Sequence, residues 1–112
     1  MKTLILTALS AALLTLSGAA TADQALAQKN ACMSCHSIKK EDKGAHVGPY
    51  FINVAKKYAG DKDAPARLAA KVRAGGKGVW VKELGAEIPM PPNPQVNDAD
   101  LKKIVAWVLS LK

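Results

Sequence analysis

Cys32-Met33-Ser34-Cys35-His36 decides how the rest of the chain is read. Two cysteines stand two residues apart, and a histidine follows the second directly. Four chemistries use such a pair. A disulfide across so short a gap closes a tiny loop and constrains the unfolded chain little. Zinc asks for four ligands, and beyond these three only His46 and the carboxylates are left to complete a set. A thioredoxin-like dithiol belongs in a strand–helix–strand unit, and no such alternation is visible. The fourth chemistry is attachment of a c-type haem. Both thiols add to its vinyl groups, and the histidine becomes the proximal iron ligand. The spacing favours this reading, with redox dithiol and zinc kept as alternatives.

The N-terminus agrees with it. Lys2 supplies a positive start, Leu4 to Leu16 is a short apolar run, and Ala20-Thr21-Ala22 is a small-x-small cleavage site. This predicts a signal peptide over residues 1–22, cleaved before Asp23. The alternative is an uncleaved anchor, but the run is short for a membrane span. Residues 23–112 then form one small domain. Chains this short bury a limited core and often need a cofactor or staple. Aromatic residues make up only 4% of the sequence, so a haem packed by aliphatic side chains is the expected centre.

The formal net charge is +7, and the leader contributes only Lys2 to it. Scattered lysines, few arginines and no nucleic-acid motif point to an acidic protein surface as partner, not nucleic acid. For most individual lysines a solvated surface is explanation enough.

Local patterns predict an all-α domain. Gln24 to Cys35 is Ala-rich and free of Pro and Gly, so a first helix is expected to run into the motif. Ile38 to Gly48 reads as a loop. Pro49 opens a second helix to about Tyr58, with Phe51, Val54, Ala55 and Tyr58 on one stripe. Asp63 and Pro65 start a third, which Gly75-Gly76 closes. Lys77 to Val96 is a long Pro- and Gly-rich stretch, expected to be ordered and functional. Asn97 caps the last helix, with Asp98 and Asp100 at its positive end and Leu101, Ile104, Val105 and Val108 on one face.

A haem iron with one histidine has a second ligand or an open site. Met1 leaves with the leader. Met33 lies between the cysteines and reads as a flexible core filler. His46 sits in a charged loop and is expected to be solvated. Met90 remains, in Ile88-Pro89-Met90-Pro91-Pro92-Asn93, where prolines restrict the backbone. A Met/His pair raises the reduction potential.

These motifs, with Val47-Gly48-Pro49, Gly78-Val79-Trp80 and Trp107-Val108-Leu109-Ser110, resemble in order the small bacterial class I cytochromes c of the cytochrome c-551 type. The resemblance covers residues 23–112. It implies a few helices around one covalent haem held by Cys32 and Cys35, with His36 and Met90 axial. It further implies that the Pro49 carbonyl or a neighbour takes the His36 Nδ1 proton. Asn93 would bond near the Met90 sulfur, and Trp80 would donate to a haem propionate. Lys71 would face a propionate where relatives often carry Arg, keeping the charge without the bidentate geometry. Relatives attach haem outside the cytoplasm, which is what the leader provides. Residues 37–47 and 81–87 form longer stretches than in many relatives, and Ala27 replaces a bulkier residue.

The function implied is a soluble, monomeric periplasmic electron carrier, not an enzyme. Its partners would be redox proteins with acidic docking surfaces, of the nitrite reductase, terminal oxidase or quinol–cytochrome c reductase type. No stable membrane insertion is expected. The alternatives are a dedicated subunit of a larger oxidoreductase and an open-site haem enzyme or gas sensor.

Overall fold

The computed structural model describes residues 22–112. Apart from Ala22, the leader expected over residues 1–22 lies outside them. The helices among the described residues are α1 (Ala22–Lys29), α2 (Phe51–Lys57), α3 (Ala64–Ala74), the single turn α4 (Val81–Leu84) and α5 (Asp98–Ser110). Tight 3-10 turns occupy Cys32–Ser34 and Lys40–Asp42. No strand occurs among these residues; an isolated bridge pairs Gly76 with Met90. The all-α expectation is met.

The last helix, α5, is the centre of the packing and touches α1, α2 and α3. Its start is fixed as the sequence predicts: the Asn97 side chain accepts the Asp100 N–H at 2.8 Å, and Asp98 and Asp100 lie in the first turn. Leu101, Ile104, Val105 and Val108 are buried on one face, and Trp107 joins them. Each such side chain contributes about 1.5–3 kcal/mol on burial. Phe51 of α2 meets Trp107 edge to face, with ring centroids 5.6 Å apart. Ala27 of α1 is fully buried against this cluster, and Met33 packs at its margin as a core filler does.

Two boundaries and one cap differ from expectation. The first helix stops at Lys29 and does not reach Cys35. The Asn30 amide turns back onto the Leu26 carbonyl at 2.9 Å, and Ala31 adopts a left-handed φ of 62°. A left-handed residue cannot continue a right-handed helix. The motif instead winds into a tight turn, with the N–H groups of Cys35 and His36 both on the Cys32 carbonyl. The second helix begins at Phe51, two residues after Pro49, because Tyr50 is extended (ψ 136°). In α3 the residue Asp63 holds the cap position without a side-chain cap. Asp61 takes over, accepting the Asp63 N–H at 2.9 Å and pairing with Arg67. Those two contacts, with the Asp63 N–H bond the larger, hold the Asp61 carboxyl below its ordinary pKa. No helix of the described residues is long and apolar enough to cross a membrane.

Candidate functional site

The tight turn after α1 brings Cys32, Cys35 and His36 to one wall of an apolar cleft of about 970 Å³, counting its open mouth. Its lining is mostly apolar, as the sites of organic cofactors usually are. Val54 of α2, Leu68 and Val72 of α3, and Ile104, Val105 and Val108 of α5 supply aliphatic lining. Ile88, Pro89, Met90 and Pro91 reach the same cleft from the proline-rich stretch.

His36 is only 9% exposed. Its Nδ1 lies 2.7 Å from the Pro49 carbonyl. A carbonyl can only accept, so Nδ1 carries the proton and Nε2 keeps its lone pair. Nε2 makes no hydrogen bond among the described residues. Phe51 stacks on the ring at 4.8 Å and 17°. Burial lowers the His36 pKa, opposed by the Pro49 carbonyl and by the negative charge of Glu83. The backbone around it is stitched closed. Val47 and Gly48 donate to the Cys35 carbonyl, Phe51 to Ser37, and Ile52 to Ile38. Gly48 is needed for this approach, since a β-carbon there would lie 2.3 Å from the His36 ring. The Cys32 and Cys35 thiols are unbridged, and burial raises the Cys32 pKa.

Met90 is held by its backbone. It exchanges two hydrogen bonds with Gly76, at 2.8 and 3.1 Å. Gly75 allows the contact: its φ is 73°, and a β-carbon would meet the Met90 carbonyl at 2.5 Å. Asn93 fastens the far side of the loop. Its side-chain amide donates to the Val72 carbonyl at 3.2 Å and the Pro91 carbonyl at 2.9 Å, and its backbone N–H goes to Arg73. The Asn93 amide protons are therefore spent on α3 and on its own loop. Arg73 adds a bond to the Pro94 carbonyl and an ion pair to Asp98.

Trp80 and Lys71 both line the cleft. The Lys71 tail lies over Gly76, and the Lys57 ammonium sits 5.7 Å from the centre of a Trp80 ring. The Trp80 indole N–H has no hydrogen-bond partner among the described residues. His46 is elsewhere engaged: its Nε2 lies 3.2 Å from a Glu83 carboxylate oxygen, and its ring stacks on Tyr50 at 3.9 Å. Glu83, Gly48 and Gly75 escaped the sequence reading as site residues. Gly75 read only as a helix stop, and Glu83 as one acid in an irregular stretch.

Two unbridged thiols, an imidazole nitrogen with a free lone pair and a methionine thioether thus line one apolar cleft. This donor set fits a haem held through thioether bonds. It does not fit the alternatives: among the described residues no three His, Cys, Asp or Glu side chains group so as to hold a metal ion, and no strand provides a thioredoxin-like setting.

A small all-α domain with such a cleft is a class I cytochrome fold, and the comparisons agree. The cytochrome c family model matches residues 20–112. Cytochrome c2 of Rhodocyclus tenuis is 53% identical over 90 residues, covering 80% of this chain and 92% of that one. Cytochrome c-552 of Nitrosomonas europaea is 43% identical over 112 residues, covering 100% of both. The crystal structure of wild-type Nitrosomonas europaea cytochrome c552 superposes with a TM-score of 0.67 at 43% identity, covering 79% of this chain and 98% of that one. The chain belongs to the cytochrome c family. It is an electron carrier with one covalent c-type haem, and not an enzyme.

Proposed function

We propose that this protein is a periplasmic one-electron shuttle in which Cys32 and Cys35 would hold the haem and His36 and Met90 would bind its iron. The leader over residues 1–22 would export it and be cleaved before Asp23. The observation that carries the reading is the shared cleft, in which His36 and Met90 are each fixed by backbone hydrogen bonds. The haem supplies a one-electron iron couple whose potential a Met/His ligand pair raises. The chain's own residues do the rest. Pro49 fixes the His36 tautomer and strengthens it as a donor. Gly76 and the prolines hold the Met90 backbone in place. The aliphatic lining excludes water, so little reorganises when an electron moves. Lys71 and Trp80 lie on the cleft as groups suited to a haem propionate.

The partners proposed are redox proteins with acidic docking faces, of the nitrite reductase, terminal oxidase or quinol–cytochrome c reductase type. Complexes of this kind are small and transient.

The test is expression of the full chain in a host able to attach haem, followed by a denaturing haem stain and N-terminal sequencing of the periplasmic product. Stained protein starting at Asp23, with staining lost in the Cys32→Ala/Cys35→Ala variant, is expected. Staining that survives the double substitution contradicts the attachment, retention of the leader contradicts the cleavage, and absence of the protein from the periplasm contradicts the export.

A further inference from the structure

Glu83 holds together two stretches that look unrelated in sequence. It lies on α4, within the longer stretch between Trp80 and Met90, and its side chain is 17% exposed. One of its oxygens accepts the Tyr50 backbone N–H at 2.9 Å and lies 3.2 Å from Nε2 of His46, in the longer loop after the cysteine motif. The His46 ring lies flat on Tyr50, 5° from parallel.

The position of Tyr50 gives this contact its meaning. Pro49, just before it, provides the carbonyl that takes the His36 Nδ1 proton, and Phe51, just after it, stacks on the His36 ring. Both contacts that set the imidazole's orientation therefore flank the amide that Glu83 holds. The segment has no local substitute: Tyr50 makes no side-chain cap, and α2 has no acid in its first turn. A carboxylate accepting a backbone N–H makes a charge-assisted bond, about twice as strong as a neutral one. Groups that act behind a metal ligand orient it and tune it.

We propose that Glu83 is a positioning residue for His36, acting through Tyr50 on the Pro49 carbonyl and the Phe51 ring. The excursion over residues 81–87 serves to deliver that carboxylate, and His46 closes the clamp from the other side. The proposal rests on the reading of His36 as an iron ligand, which the wild-type optical spectrum tests separately. A variant that leaves His36 unmoved in a protein with intact ligation thus overturns the positioning role alone.

The experiment is NMR on the ferrous haem-loaded protein, comparing the parent with Glu83→Gln and Glu83→Ala. It reads the hydrogen exchange of the Tyr50 amide and the chemical shift of the His36 Nδ1 proton, with α5 amides as the internal reference. Glu83→Ala is expected to speed Tyr50 exchange by about tenfold or more and to shift the His36 proton, with α5 unchanged. Glu83→Gln keeps an acceptor oxygen of the same reach, so a smaller, few-fold (~3) rise and a smaller shift in the same direction are expected. If Glu83→Ala does not fold, the rise in Tyr50 exchange and the His36 shift of Glu83→Gln against the parent carry the test. An unmoved His36 proton in either variant overturns the proposal. So does equal behaviour of the two variants, which would make charge alone the cause, or a uniform rise in exchange through α5, which would make the role merely structural.

Discussion

At Gly48 a β-carbon would come within 2.3 Å of His36 Cε1 and within 3 Å of both ring nitrogens. The residue is thus part of the site through its lack of a side chain: it lets the backbone that ends in the Pro49 carbonyl lie against the imidazole. Gly48→Ala is expected to push the His36 ring off this carbonyl while leaving the thiols free to attach haem. The denaturation midpoint of the haem-loaded protein should fall by an amount corresponding to about 1–3 kcal/mol, the usual cost of overfilling a packed site. An unchanged midpoint and an unchanged spectrum would show that the ring has room to move. At this scale the sequence spoke clearly for Cys32, Cys35, His36 and Met90, because their chemistry is tied to short local motifs. It was silent on Glu83, whose two partners lie 33 and 37 residues away. A single acid in an irregular stretch carries no periodic or spacing signal for such a contact.

The helices divide along similar lines. The last one was legible throughout, because an asparagine cap, two early acids and a 3.6-residue stripe all point the same way. The stripe of α2 was equally visible: Phe51, Val54 and Ala55 are buried and Tyr58 is half-buried. The end of α1 was not. Alanine-rich composition favours helix through Cys35, but the attachment motif needs a tight turn, and the left-handed Ala31 provides it. Propensity is a weak prior where a site dictates the backbone. The single turn α4 is too short to show any period. The proline-rich stretch was expected to be ordered, and the reason lies outside it: Gly76, Arg73 and Val72 at the end of α3 accept or donate the bonds that fix Met90 and Asn93. Gly75 makes that docking possible, a role hidden behind its more ordinary one of ending a helix.

The whole molecule carries a net charge of +7 in its full sequence. Lys57 and Lys71 stand beside the cleft, through Trp80 and Gly76 respectively. Lys77, by contrast, faces Glu87 at 3.8 Å and spends part of its charge there. Exposed charges are screened beyond about 10 Å at 0.1 M salt. Electron transfer to an acidic redox partner should therefore slow by about tenfold between low and moderate ionic strength, through the association rate. A rate independent of salt would contradict steering by this surface.

The proposed electron-transfer role depends on His36 and Met90 both binding the iron. The most direct measurement is the optical spectrum of the periplasmic protein, oxidised and then reduced. Low-spin bands with a far-red sulfur-to-iron band in the ferric state, lost in Met90→Ala, are the predicted result. Covalent haem with high-spin character, or without the sulfur band, would contradict it.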